Sequence, residues 1–193
     1  MARTLSESLD LGTEAPPFDL PVANPECDDK GGDRRSLEDY RYSSVVVVVF
    51  MCNHCPFVIH VRPQLVDIAA EYADRGVQFI GISSNDAIRY PDDSFERMRE
   101  DALRYGYPFP YLYDESQEVA RAYGAVCTPD VYVYDSDRKL RYHGQVDESR
   151  PGGREAHGRD LRTALDQLLK RGAVDVEQIP SMGCNIKWKE NGR

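Results

Sequence analysis

Hydrophobic positions along the chain change period several times, and each change marks an element. After a polar lead, PPFDLP reads as a short extended piece and DDKGGDRRS as an exposed loop rich in glycine and charge. Ser44–Phe50 is SVVVVVF, an unbroken β-branched run that predicts a strand buried on both faces within a parallel or mixed sheet. Phe57, Val61, Leu65, Ile68, Ala69 and Tyr72 then recur at helical spacing, with Gly76 as a stop. Pro56 suits the first turn of that helix, and Pro63 is expected to kink it. Val77–Ser84 predicts a second strand, and the stretch from Ser94 to Gly106 a helix opened by a serine cap.

A shorter helix is expected in SQEVARAYG. TPDVYVYDSDRKLRYHGQV predicts two strands joined at Ser136–Arg138, hence a hairpin. Gly158–Gly172 is a last amphipathic helix, and the residues after it show no period and read as a tail. Strand, helix, strand in that order implies a parallel pair, so the fold class is α/β with a central mixed sheet flanked by helices. No segment repeats at solenoid spacing.

Composition narrows the function. With 193 residues and 41% hydrophobic content the chain supports one core. A net charge of −9 argues against a phosphate-backbone partner, so no nucleic acid is expected. The longest apolar run, Val45–Cys52, is far short of the ~20 residues that span a bilayer. The N-terminus lacks the apolar stretch of a signal peptide. These features predict a soluble, cytoplasmic protein without a membrane partner. Its 5 cysteines are Cys27, Cys52, Cys55, Cys127 and Cys184, a scattered, odd set expected to be reduced thiols.

Only Cys52 and Cys55 are close in sequence, in FMCNHCPFV directly after the valine strand. A metal clip, a structural staple and a working redox pair are the alternatives. If the helix begins at Cys52 or Asn53, the Cys52 sulfur faces unpaired N–H groups and the positive end of the helix dipole, which lowers its pKa. Cys55, one turn on, would sit deeper and less exposed, in reach to resolve a mixed disulfide formed by Cys52. His54 can stabilise the thiolate and shift the pair toward the oxidising end, or it points to solvent. His60 is a helix-surface or packing residue; His143, His157 and Cys27 receive no role. Zinc is disfavoured because no second cysteine pair has the right spacing, so no metal is assigned.

The order of elements with Cys-x-x-Cys after the first core strand resembles the thioredoxin-like fold in its larger redoxin form, over roughly Pro17–Arg171 with an insertion at Asn85–Ala125. FMCNHCP, SND, PFPYLYDE, YGAVCTPD and the GC-x-IKWK tail together resemble the peroxiredoxin-like (redoxin, AhpC/TSA-type) branch of the thioredoxin superfamily. The resemblance implies a lead over 1–16, a redoxin domain over 17–171 and a tail over 172–193 that folds over the site or hangs free. It implies that Pro129 is a cis-proline facing the redox pair and that Thr128 offers its backbone to a substrate. Cys127 would lie near the site, packed inward or auxiliary. Cys184 would be a second resolving thiol or an exposed, unused one.

The activity so implied is thiol–disulfide oxidoreduction, with Cys52 as nucleophile, Cys55 resolving, and no cofactor. Its partners would be protein or small-molecule disulfides and a reducing thiol donor. A peroxiredoxin-type peroxidase is the alternative, although such enzymes place Thr or Ser three residues before the reactive cysteine, where this chain has Val49. A metal-binding module using Cys52, Cys55 and a histidine, as in copper-delivery proteins of this fold, is the third reading.

Overall fold

The computed structural model describes residues 3–190. In chain order its elements are β1 (Arg3–Leu5), β2 (Asp19–Pro21), β3 (Arg34–Ser36), β4 (Val45–Phe50), α1 (Pro56–Ala73), β5 (Val77–Ser83), α2 (Phe95–Tyr105), β6 (Tyr111–Tyr113), α3 (Glu118–Tyr123), β7 (Cys127–Thr128), β8 (Asp130–Tyr134), β9 (Leu140–Gly144), α4 (Arg159–Arg171) and β10 (Met182–Asn185).

The valine run sits at the centre of a five-stranded sheet ordered β6-β5-β4-β8-β9. Strands β4, β5 and β6 run parallel, while β8 and β9 pair antiparallel as a hairpin. Alternation along β4 separates two cores. Val45, Val47 and Val49 pack with α1, α2 and α4 through Val58, Leu65, Met98, Ala102, Leu161 and Leu165. Val46, Val48 and Phe50 face the other side, where Phe18, Leu20, Tyr40, Ala120 and Tyr123 cover them. Each such side chain contributes about 1.5–3 kcal/mol by leaving water, which is why an unbroken apolar run is stable only with both faces covered.

Helix α2 starts where the sequence signals it. Ser94 Oγ accepts the Arg97 N–H at 3.3 Å, and Gly106 closes the helix with φ +63°. Helix α1 is continuous from Pro56 to Ala73 with Pro63 inside it. It begins later than Cys52 or Asn53. Cys55 is its cap, with extended backbone at φ −70° and ψ 121°, because the ring of a following proline disfavours the helical region for the residue before it.

Two segments read as irregular are ordered by pairing. Residues 34–36 form β3 against β2, and the buried Arg35 guanidinium meets Asp28 at 2.6 Å. The tail contributes β10, the middle strand of a small sheet ordered β1-β10-β7. That sheet brings both ends of the described chain to the cysteines. No helix among the described residues is long and apolar enough to cross a membrane.

Candidate active site

The cysteine loop spans the gap between β4 and α1 and is fastened at every residue. Met51 N–H donates to the Ile82 carbonyl at 2.9 Å. Asn53 N–H donates to Asp93 Oδ1 at 2.8 Å, and its side-chain amide donates to the Asp92 carbonyl at 2.8 Å. Tyr111 Oη donates to Asn53 Oδ1 at 3.0 Å. Asp93 is fully buried and also accepts the Asn85 amide at 2.7 Å. This carboxylate is the hub of the loop. His54 Nδ1 lies 2.6 Å from Asp93 Oδ2, an ion-pair contact off the line of a regular hydrogen bond. The imidazole stacks on Tyr90, ring centres 5.7 Å apart. Contact with the carboxylate raises the His54 pKa above its ordinary value against the opposing effect of burial.

Thr128 meets both sulfurs of the pair. Its Oγ1 is 3.5 Å from Cys52 Sγ, and its carbonyl accepts from Cys55 Sγ at 3.1 Å. The Thr128–Pro129 bond is cis. Both cysteines are buried, Cys52 at 1% and Cys55 at 0% exposure. The expected difference in depth is therefore absent.

The two thiols also titrate as a coupled pair. A hydrogen bond from Cys52 brings the Cys55 thiol down to about 5 against burial, helped by Cys184 and by the Val58 N–H in the first turn of α1. The same Cys52–Cys55 contact, then burial and the Asp93 carboxylate, hold Cys52 well above an ordinary thiol. The helix terminus acts on the residue that caps it, and that residue is Cys55. The Thr128 carbonyl favours an S–H on Cys55, so the proton belongs to the pair, moving between sulfurs that cannot both be charged in a dry site.

Strand β10 takes the edge expected to serve a substrate. Cys184 stands opposite Thr128 and Asn185 opposite Cys127. Gly183 passes so close that a Cβ there would collide with the Thr128 carbonyl. The Thr128 backbone thus pairs with the protein's own tail. Cys184 is buried, not an exposed thiol, and burial together with a hydrogen bond to Cys55 pushes it up to about 12. Cys127 is buried with Sγ 3.8 Å from the Pro129 carbonyl, and burial raises its pKa. Cys27 lies apart, half-buried beside Asp28 and Arg35, and burial pushes it up to about 12.

Beyond the tail strand, the Lys187 N–H donates to Asn85 Oδ1 at 2.8 Å, so the tail, Asn85, Asp93 and His54 form one connected network. Asp93, Asn85 and Tyr111 carry the loop and have no distinguishing spacing in the sequence. Asn85 lies in SND, and only the resemblance marked it. His60 bonds Ser149 Oγ at 2.8 Å. His143, without a role on sequence, is buried against Asp130 Oδ1 at 2.9 Å and stacked on Tyr132. Cys52 Sγ, a His54 ring nitrogen and an Asp93 oxygen lie within 4.8 Å of one another. This mixed donor set differs from the Cys52, Cys55 and histidine expected for a metal module.

A mixed sheet with the cysteine pair between its central strand and first long helix, and a cis-proline opposite, defines a thioredoxin-like protein. Residues 11–143 match the AhpC/TSA family, and the chain belongs to it. It is 21% identical over 168 residues to the thiol-disulfide oxidoreductase ResA of Bacillus thuringiensis, covering 87% of this chain and 82% of ResA. It is 28% identical over 145 residues to a putative peroxiredoxin, Rv2521, of Mycobacterium tuberculosis, covering 75% and 83%. The crystal structure of an uncharacterized conserved protein from Geobacillus kaustophilus superposes with a TM-score of 0.92 at 48% identity, over 100% of this chain and 99% of that one.

Proposed function

We propose that the protein is a thiol–disulfide oxidoreductase in which Cys52 attacks and Cys55 resolves. The observation that carries this is the placement of two buried sulfurs on one residue, Cys52 against the Thr128 hydroxyl and Cys55 against its carbonyl. A Cys55 thiolate takes the proton of Cys52 as Cys52 attacks a substrate disulfide. One substrate sulfur leaves as thiolate and collects that proton. The restored Cys55 thiolate then attacks Cys52 sulfur, forming the Cys52–Cys55 disulfide and expelling the second substrate thiolate. Two electrons pass from the pair to the substrate, and a reducing thiol donor restores it. The ResA relative and the family membership support this reading.

Peroxide reduction is the second reading. It is favoured by the Thr128 hydroxyl beside Cys52 and by the peroxiredoxin relative. Single substitutions decide between the two. Under disulfide exchange, Cys52→Ser abolishes turnover of a disulfide substrate and Cys55→Ser accumulates mixed disulfides at Cys52. Retained disulfide turnover in Cys52→Ser would sink the assignment.

A further inference from the structure

Three sulfurs meet at Thr128. Cys52 lies against its hydroxyl, Cys55 against its carbonyl, and Cys184 across the strand pair from it. Cys184 is not a loose tail thiol, because β10 is held on both sides, by β1 and by β7. The segment that follows is anchored too: Ile186 N–H donates to the Val126 carbonyl at 3.0 Å, and the Lys187 carbonyl accepts from Asp86 and Gln117. The fold therefore spends a strand on keeping a thiol beside the resolving cysteine, and the two thiols are hydrogen-bonded.

All three are buried, and what separates them is a cavity. A cavity of about 350 Å³ opens at the tail and is lined by Arg3, Pro56, Phe57, Arg150, Met182 and Cys184. Neither Cys52 nor Cys55 lines it, and neither lines the cavity of about 440 Å³ beside Asn53 and His54. Of the three sulfurs, that of Cys184 belongs to a residue lining one of these two cavities.

We propose that Cys184 is a third redox thiol, which exchanges with the Cys52–Cys55 disulfide to give a Cys55–Cys184 disulfide and so offers the oxidised enzyme to small thiol reductants through this cavity. The inference rests on the exchange reading above. Cys184 sulfur attacks Cys55 sulfur, the Cys52–Cys55 bond breaks, and the Cys184 proton passes to the released Cys52. No electron is gained or lost in this step. An external thiolate then attacks Cys184, releasing Cys55 as thiolate. A second external thiol cleaves the resulting mixed disulfide, giving its own disulfide and reduced Cys184.

The full chain carrying Cys52→Ser, oxidised with diamide and digested without reductant, tests the pairing. Diamide takes two electrons and two protons from two thiols. The expected result is one peptide pair joining Cys55 to Cys184; a Cys55 left unpaired, or joined to another cysteine, overturns the inference. Wild-type protein equilibrated in a glutathione redox buffer is the second measurement, independent of how well the variant folds. Both Cys52–Cys55 and Cys55–Cys184 peptides should appear there. Cys52–Cys55 alone overturns the third-thiol proposal and leaves the exchange reading standing, whereas no disulfide at Cys52 or Cys55 overturns both. Cys184→Ser should also slow re-reduction of the oxidised enzyme by 2-mercaptoethanol, and an unchanged rate counts against the relay.

Discussion

Nδ1 of His54 and Oδ2 of Asp93 lie 2.6 Å apart, joining the residue between the two cysteines to a carboxylate that belongs to a different part of the chain. Asp93 precedes the cap of α2, so the charge state of the cysteine loop is tied to the placement of a helix. The pair also acts on both sulfurs: the carboxylate disfavours a thiolate at Cys52, while the imidazolium and a Cys55 thiolate favour each other.

The first prediction is a pH dependence. The folded pKa of His54 is raised by Asp93, so its contribution to stability is fully present below the unfolded value of ~6.5 and is lost as pH rises through the folded value. Urea denaturation of wild type and His54→Asn should differ most at acidic pH and converge in alkaline solution. A constant difference across that range would show that the ion pair is energetically silent.

Replacing the partner makes a second prediction. Asp93→Asn removes one negative charge beside Cys52 and strands buried N–H donors, at a cost of about 1–3 kcal/mol for an unsatisfied group. The His54 titration followed by NMR should move down toward ~6.5, and the pH midpoint of Cys52 alkylation should move down with it. Unmoved midpoints in both titrations would remove Asp93 from the electrostatics of the site.

The third concerns the redox potential. An imidazolium that stabilises thiolate in the pair favours the reduced form, so the potential should lie above the ~−270 mV of thioredoxin. His54→Ala should lower it by roughly 30–60 mV, for one to two pKa units on a thiol of the pair. Equilibration of both proteins against glutathione measures the difference, and equal potentials would leave His54 as a spacer.

Peroxide gives a fourth. Val49 occupies the position three before Cys52 and is buried in β4, leaving the Thr128 hydroxyl as the one hydroxyl that contacts Cys52 among the described residues. Stopped-flow oxidation of Cys52 by hydrogen peroxide should be slow beside its reaction with a disulfide, and slower again in Thr128→Val. Fast peroxide oxidation independent of Cys55 would favour the peroxidase reading.

Packing of the tail supplies the last. Gly183→Ala places a methyl group against the Thr128 carbonyl, and such overpacking costs about 1–3 kcal/mol. Thermal denaturation should register the loss. Cys52 and Cys55 should also become faster to alkylate under native conditions as β10 separates from β7, and unaltered labelling would mean that β10 does not guard the pair.

What the sequence could and could not announce follows from how each element is stabilised. The valine strand and α1 declare themselves because burial on two faces or one imposes a period on the residues. Strand β10, Met-Gly-Cys-Asn, has no alternation and no β-branched residue; its conformation is set by the strands on either side of it. Asp93 is indistinguishable from its neighbour Asp92 until the fold buries one and leaves the other out. The late start of α1 was legible at Pro56, since the residue before a proline resists the helical region. The surroundings of Cys55 were not, because they depend on that start and on a tail more than a hundred residues away.

The three-stranded sheet β1-β10-β7 has a consequence for the order of events during synthesis. Cys52 and Cys55 leave the ribosome early, and Thr128 follows them, but β10 emerges after every other described element. Until then Thr128 lacks the strand that pairs with it. The β7 edge beside the two thiols is therefore completed later than the five-stranded sheet that carries them.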